Sequence, residues 1–172
     1  MNTHFVSLLL ASVRTVALEK LSARILFGTA TAKRKIKTHA EVCATIGLTG
    51  DATGYLALCL PMSTAQRMAK KLLGVGTTET YPDFADALGE FLLAILQRAH
   101  PQFCELTVNI GLPHVILGTQ LDILARTTRL ALSLPCDSAL GRFSLEIMVE
   151  ITKTSPPSAA LEENHRPAEQ VV

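Results

Sequence analysis

Residues 83–99 read DFADALGEFLLAILQRA, and the spacing of their apolar side chains predicts a helix with two distinct faces. At about 100° per residue, one broad face is apolar and is expected to pack against a sheet. That face comprises Phe84, Leu88, Phe91, Leu92 and Ile95. Pro82 is tolerated in the first turn of a helix, and Pro101 predicts that the helix ends near Ala99.

The opposite face of this predicted helix carries a polar stripe. The stripe comprises Asp83, Asp86, Glu90 and Gln97, and Leu93 falls inside it. One interpretation is that Leu93 marks the edge of a wide buried face, since exposed leucines are common on protein surfaces. The alternative is that Leu93 belongs to a surface that binds another molecule.

Two short β-like runs before this helix predict an antiparallel hairpin. The runs are Glu41–Leu48 and Gly54–Leu60, and Pro61 ends the second one. The residues between them, Thr49–Thr53, have the composition of a turn.

Two further helices are predicted, one before the hairpin and one after it. The first runs from about residue 4 to 26, because apolar residues recur there at helical spacing. These residues include Phe5, Leu8, Leu9, Val13, Val16, Leu21 and Ile25. The second runs from an N-cap at Ser63 to Leu73, and Gly74 with Gly76 is expected to close it.

The remaining segments decide the fold class. Residues 106–112, 115–117, 128–134 and 142–151 are strand-like, and the dipeptide Leu112-Pro113 separates the first two. Helix, hairpin, two helices and then several strands predict an α+β domain, in which an antiparallel or mixed sheet packs with long helices. Residues 1–151 form the predicted domain. Residues 152–172 are rich in Ser, Pro, Glu and Ala and are predicted to be a disordered tail.

The composition excludes several classes of protein. With 48% hydrophobic and 18% charged residues, the chain is expected to be globular. Its formal net charge of +1 gives no electrostatic basis for binding nucleic acid or an anionic membrane. The short basic cluster at residues 33–37 is interpreted as a solvated loop or strand entry. Arg14 and Glu19 follow the apolar start too soon for a membrane span, so a cytoplasmic protein is expected.

The cysteines give no sign of a scaffold or a metal centre. Cys43, Cys59, Cys104 and Cys136 are widely scattered and form no C-x-x-C pair. They are expected to be small buried thiols, and neither a disulfide framework nor a zinc site is predicted. His100 lies close to Cys104, but no further ligand pair accompanies them, so no metal site is expected there.

The helix at residues 83–99 resembles the signature helix of the CheX branch of the CheC/CheX/FliY chemotaxis phosphatases. In that family Asp-Ala-x-Gly-Glu precedes two residues and an asparagine, and Asp86–Leu93 reads DALGEFLL here. Other segments resemble the family's first hairpin, next helix, proline-containing turn and last strand, in that order. They are Ile46–Leu58, Ser63–Gly74, Leu112–Gly118 and Gly141–Glu146.

The resemblance implies a phosphatase-like domain whose partner is a phosphorylated response-regulator receiver of the CheY type. In this family the glutamate is thought to meet a lysine beside the partner's phosphoaspartate, while the asparagine positions the attacking water. Residues three apart share a helix face, and an amide can both donate to and accept from a water molecule. The acyl phosphate and its Mg²⁺ belong to the receiver, so no cofactor is expected on this chain.

Carried over to this sequence, Glu90 matches the glutamate and Leu93 occupies the position of the asparagine. Leucine has no hydrogen-bond donor or acceptor, so it cannot orient a water molecule. Gln97 carries an amide, but it lies one turn further on, about 6 Å along the helix axis. The candidate binding residues are Asp86, Glu90, Leu93 and Gln97, of which Glu90 and Gln97 are the candidate catalytic groups.

A second site of the same kind is considered on the first helix. Glu19 and Ser22 repeat the acidic-x-x-polar spacing, and the corresponding helix carries a second site in CheC-type relatives. Serine is a poor substitute for an amide. A solvated helix face is therefore the simpler interpretation of this pair.

Three functions are compatible with the sequence. The first is a CheX-like module that binds a phosphorylated receiver and has lost phosphatase activity or retains little of it. The second is an active phosphatase that uses Glu90 with Gln97 or another amide. The third is a purely structural, dimerising subunit that uses its sheet edges. A homodimer is possible in each of them, since the resemblance suggests dimers formed through the sheet.

Overall fold

The computed structural model describes residues 3–33, 36–37, 40–74, 81–103, 106–119, 121–123 and 130–152. The helices in these ranges are α1 (Thr3–Leu21), α2 (Met62–Leu73) and α3 (Tyr81–Ala99). The strands are β1 (Ile25–Phe27), β2 (Thr31–Lys33), β3 (Ile36–Lys37), β4 (Val42–Gly50), β5 (Ala52–Leu60), β6 (Val108–Leu117), β7 (Asp122–Ile123), β8 (Ala131–Ser138) and β9 (Phe143–Ile151). Apart from Thr152, the predicted tail lies outside the described residues, as does Cys104.

The main sheet has seven strands in the order β1-β8-β9-β5-β4-β6, and β2 also pairs with β8. Strands β3 and β7 form a separate two-stranded sheet. The pairs formed by these described strands are antiparallel. The predicted α+β class is confirmed, and so is the hairpin, which consists of β4 and β5.

The three helices and one face of the main sheet enclose the core. Side chains alternate across a strand, and β4 shows this with Val42, Ala44, Ile46 and Leu48 buried toward the helices. Helix α3 lies over β6, β4 and β5. It buries the predicted apolar face, which comprises Phe84, Leu88, Phe91, Leu92 and Ile95. No helix in the described ranges is long and apolar enough to span a bilayer.

The first helix is shorter than its periodicity predicts. Helix α1 ends at Leu21, and Ser22 adopts a positive φ of 51°, which turns the chain out of the helix. Ile25 is buried as predicted, but it pairs with Ser138 in the sheet instead of extending the helix. The prediction for residues 22–26 is therefore wrong, because an apolar residue at helical spacing also satisfies a strand position.

The predicted N-cap at Ser63 is also wrong. Helix α2 begins at Met62 after Pro61, and its cap residue makes no side-chain hydrogen bond. Instead, the N–H of Met62 donates to the Oε2 atom of Glu41 at 2.8 Å. The carboxylate of Glu41, the residue before β4, therefore caps α2 in place of a local side chain. Its negative charge is also stabilised by the positive end of the helix dipole.

The predicted break at Leu112-Pro113 does not occur, because β6 runs through it as one strand. Gly118 donates its N–H to the carbonyl of Glu41, so the backbone of Gly118 faces β4. The backbone groups of successive residues point to alternate sides of a strand, and the nitrogen of Pro113, five residues earlier, therefore faces away from β4. A proline is tolerated at such a position on an edge strand. The register of the β4–β6 pair shifts between Ile46 and Leu48, opposite this part of β6.

Candidate functional site

The outward side of α3 presents the predicted residues on one surface, here named the α3 face: Asp86, Glu90, Leu93 and Gln97. The side chains of Asp86, Glu90 and Gln97 are exposed, and Leu93 is half-buried. None of the apolar core residues of α3 lies on this surface, because the helix period separates the two sets. The described strands therefore do not cover the α3 face, and its carboxylates can contact another molecule.

Glu90 is available for an ion pair. Its side chain is exposed, and no salt bridge joins it to another residue of the part of the chain that is described. A carboxylate in this state keeps its acceptor oxygens for a cation from outside the chain.

Leu93 lies at the edge of the buried face of α3. It is half-buried and packs against the core, so part of its side chain stabilises the fold while the rest contributes to the α3 face. Its neighbours Glu90 and Gln97 are exposed on the same side. The interpretation of Leu93 as the edge of a wide buried face therefore fits the structure, and its place in a binding surface stays a prediction.

A cleft of 230 Å³ opens beside Glu90 where the three helices meet. Its lining residues are Lys20, Leu72, Leu73, Asp83, Asp86, Ala87, Glu90 and Phe91. Three carboxylates and one ammonium group thus surround this opening, and the excess of negative charge favours a cationic side chain. The sequence did not indicate Lys20, because it belongs to α1 and only tertiary packing brings it to α3.

Gln97 borders a different cavity from Glu90. That cavity has a volume of 420 Å³ and is lined by Gln97, His100, Val108, Asn109 and Ile110. The Nε2 atom of His100 lies 3.0 Å from the carbonyl oxygen of Val108. Gln97 and Glu90 are seven residues apart, which is about 10 Å along the helix axis. The fold therefore does not bring the two candidate catalytic groups to one cavity.

Gly89 and Pro113 set the distance between α3 and the edge strand β6. A Cβ atom added at Gly89 would lie 3.2 Å from both the Cβ and the Cγ of Pro113. Glycine in mid-helix costs about 1 kcal/mol relative to alanine, and here it permits a close approach of helix and strand. Two segments that carried the family resemblance are thus in contact, next to Glu90.

The second candidate site on α1 is not formed. Arg98 of α3 makes a salt bridge of 3.1 Å with Glu19, and Ser22 lies beyond the end of the helix with a positive φ. The pair therefore does not share a helix face. The interpretation of Glu19 as an ordinary surface residue fits this arrangement.

No group of three or more possible metal ligands occurs among the described residues. Three cysteines, Cys43, Cys59 and Cys136, are buried free thiols, as predicted. Burial raises the pKa of the Cys136 thiol to about 12, with a smaller opposing effect from a hydrogen bond to the Leu145 backbone. These thiols lie away from the α3 face, on strands of the main sheet.

A model of the family described as chemotaxis phosphatase CheX matches residues 42–137. This span is more than half of the 172-residue chain and includes the whole α3 face. No curated protein matches the chain significantly.

Solved structures of known proteins share the fold. A chemotaxis protein CheX from Desulfovibrio desulfuricans is 22% identical, with a TM-score of 0.77 over 86% of this chain and 99% of that one. The CheX of a CheX–CheY–BeF3–Mg²⁺ complex from Borrelia burgdorferi is 21% identical, with a TM-score of 0.73 over 85% and 97%. FliY from Thermotoga maritima is 17% identical, with a TM-score of 0.54 over 81% and 83%. At these identities the likeness establishes the fold.

Proposed function

This chain belongs to the chemotaxis phosphatase CheX family, and we propose that it binds a phosphorylated response-regulator receiver through the α3 face. We further propose that its phosphatase activity is lost or weak. One observation carries both statements: an exposed glutamate, Glu90, shares the α3 face with Leu93 in place of a water-orienting amide.

The charge of the α3 face supports binding of a receiver. Glu90 is exposed and forms no ion pair with another described residue, so it can meet a lysine beside the partner's phosphoaspartate. The CheX of Borrelia burgdorferi has been solved in complex with CheY, BeF3 and Mg²⁺. Leu93 adds apolar area between the polar side chains, which suits a protein contact better than a water-filled reaction site.

The chemistry of Leu93 supports weak turnover. Hydrolysis of an acyl phosphate needs a water molecule aligned with the phosphorus, and an amide can hold that water by donating and accepting hydrogen bonds. Leucine does neither. Losing one positioned polar group commonly costs about 10²–10³ in rate. Gln97 does not replace it at the same place, because it borders a separate cavity one turn away.

The partner supplies the remaining groups in this proposal. The phosphoaspartate and the Mg²⁺ that neutralises it both belong to the receiver, so this chain would need no cofactor of its own. We also propose a cytoplasmic location, because that is where a receiver would encounter this chain.

Leu93→Asn is expected to raise phosphatase activity. The substitution restores a donor and an acceptor three residues after Glu90, and the predicted gain in the rate of phosphate release is about 10²-fold. The measurement is release of inorganic phosphate from a CheY-like receiver phosphorylated by a small-molecule donor with Mg²⁺. Leu93→Ala is the matched control, because it shortens the side chain without adding a polar group.

Two outcomes would change this proposal. Wild-type turnover clearly above spontaneous hydrolysis, abolished by Glu90→Gln, would show an active phosphatase. No gain in Leu93→Asn, with folding and receiver binding preserved, would show that more than the amide has been lost.

The edge strand β6 supports a second proposal, a homodimer formed through the sheet. Within the described ranges β6 pairs only with β4, which leaves its other side available for pairing except at Pro113, which has no N–H to donate there. Leu112 and Ile116 on this strand are 79% and 50% exposed. Long edge strands with exposed apolar side chains are prone to pair with another strand, and a second copy of β6 offers the same surface.

The double variant Leu112→Lys with Ile116→Lys is expected to convert a dimer to a monomer, because it places four lysines at a twofold strand pair. Light scattering after size-exclusion chromatography measures the mass. Leu26→Lys is the control, since Leu26 is 70% exposed on β1 at the opposite edge of the sheet. A wild-type chain that is monomeric at high concentration, or a dimer that only Leu26→Lys disrupts, would contradict the proposal.

A further inference from the structure

Two cysteines face each other across the central hairpin, on the sheet face opposite the helices. Cys43 of β4 is the cross-strand partner of Cys59 of β5. Their Sγ atoms are 3.7 Å apart, and the residues are 2% and 3% exposed. Both belong to a small apolar cluster with Ala40 and Ala57 that is separate from the main core.

The register places this pair where a disulfide fits an antiparallel sheet. The backbone carbonyl of Glu41 accepts the N–H of Gly118, so it faces β6. Backbone groups alternate along a strand, and those of Val42 therefore face β5 while those of Cys43 face β6. Cys43 and Cys59 are therefore a non-hydrogen-bonded pair, in which the Cα atoms of facing residues are about 4.5 Å apart. That spacing lies within the range of about 4.4–6.8 Å that disulfides span.

The backbone on the other side of β5 gives the same assignment. Thr152 donates its N–H to the carbonyl of Asp51 from the β9 side. Counting in steps of two from Asp51, the backbone groups of Cys59 also face β9 and therefore point away from β4. No backbone hydrogen bond between β4 and β5 has to break for the two sulfur atoms to approach each other.

The two thiols have unequal environments. A hydrogen bond from the Cys59 thiol lowers the pKa of Cys43, against smaller opposing effects of burial and of the charge on Glu146. The same hydrogen bond, together with burial, raises the pKa of Cys59. The contact between the two sulfur atoms therefore favours the thiolate of one of them while the other keeps its proton.

A cavity connects this pair with its polar surroundings. It has a volume of 300 Å³, and Cys59 lines it together with Lys33, Ser133, Ser144, Arg142, Glu146 and four further residues. Glu146 is 1% exposed; its Oε1 accepts a hydrogen bond of 3.0 Å from Ser133, and its Oε2 has no partner in the described structure. A cavity with an open acceptor of this kind admits a small hydrogen-bonding molecule such as water or a peroxide.

We propose that Cys43 and Cys59 form a dithiol site that hydrogen peroxide oxidises to an intramolecular disulfide. One of the two sulfur atoms, as its thiolate, attacks one peroxide oxygen, the O–O bond breaks, and hydroxide leaves and takes up a proton from solvent to form water. The other sulfur then attacks the sulfenic sulfur, and the S–O bond breaks. The leaving hydroxide takes the proton of the second thiol to form a second water, so two thiols and one peroxide give one disulfide and two waters.

Peptide mapping tests this site directly. No lysine or arginine lies between His39 and Gln66, so trypsin leaves both cysteines on one peptide that spans residues 38–67. After peroxide treatment and alkylation under denaturing conditions, this peptide is expected to be lighter by two hydrogen atoms and to carry no alkyl group. Reduction with dithiothreitol should restore two alkylated thiols.

Matched variants make the result specific. Cys136→Ser is expected to keep disulfide formation, because Cys136 lies on β8 and is held protonated by burial. Cys43→Ser is expected to abolish it. Glu146→Gln is expected to speed it, because the carboxylate charge raises the pKa of both thiols. The proposal is overturned if peptide 38–67 of the folded wild-type protein keeps two alkylatable thiols, or if either cysteine joins Cys104, Cys136 or another chain instead.

Discussion

At the level of single residues, Leu93 is the reason for proposing binding without turnover. Its half-buried side chain packs on the core while its outer part lies between Glu90 and Gln97 on the α3 face. Binding a receiver needs charge and contact area, which this surface has. Hydrolysis additionally needs a group that holds a water molecule, and a hydrocarbon side chain cannot do so. The proposed loss of activity therefore depends on one side chain and not on the scaffold.

Tyr55 leads to a prediction about alkaline pH. Its hydroxyl is buried and has no hydrogen-bond partner in the described structure. Burial raises its pKa from 10.0 to about 12, and the charge on Glu146 acts in the same direction. The folded chain therefore holds this proton more tightly than the unfolded chain. The contribution of Tyr55 to the free energy of unfolding is complete below pH 10 and is lost as the pH rises through about 12.

Tyr55→Phe is expected to remove this part of the pH dependence. Near neutral pH its free energy of unfolding should equal or exceed that of the wild type, because the hydroxyl has no partner to lose. Urea unfolding at several pH values between about 7 and 12 measures both effects. A variant whose stability declines with pH as steeply as the wild type would contradict this account of Tyr55.

At the level of elements, local patterns predicted the helices and strands whose apolar residues follow one period. Helix α3 and the hairpin of β4 and β5 are of this kind, and the structure confirms them. Features that depend on distant residues were missed. Glu41 caps α2 from 21 residues away, and the edge position of β6 explains why Pro113 does not end it. Neither feature can be predicted from a short segment of sequence.

The contact between α3 and β6 gives a prediction for Gly89. Gly89→Val is expected to lower the free energy of unfolding by about 1–3 kcal/mol, because its side chain would overlap Pro113, whose atoms already lie 3.2 Å from an added Cβ. Urea denaturation measures the loss. Gln97→Val is the control for a valine at an exposed position of the same helix; at Gly89 valine has the higher helix propensity, so a loss there comes from packing. Equal losses in the two variants would show that close packing at Gly89 is unimportant.

At the level of the whole molecule, the α3 face could be predicted from the sequence because it lies on one helix. Residues 86, 90, 93 and 97 share a side of any α-helix, so no tertiary information was required. The cleft beside Glu90 could not be predicted, because Lys20 comes from α1. The pairing of Cys43 with Cys59 could be predicted in part. The predicted hairpin is centred on Asp51, and Cys43 and Cys59 are equally far from it along the chain, which places them opposite each other.

The central claim is that the α3 face is the surface that binds a phosphorylated receiver. Its most direct test is the affinity for a CheY-like receiver activated with beryllofluoride and Mg²⁺, compared between wild type and Glu90→Lys by titration calorimetry. Asp137→Lys is the control, because it makes the same charge change at an exposed residue of β8, far along the sheet from α3; it also breaks the ion pair with Arg142, so its folding is checked as well. The account predicts that Glu90→Lys weakens binding about tenfold or more, which is about 1.4 kcal/mol, while Asp137→Lys does not. Equal affinities for wild type and Glu90→Lys, in correctly folded protein, would contradict it.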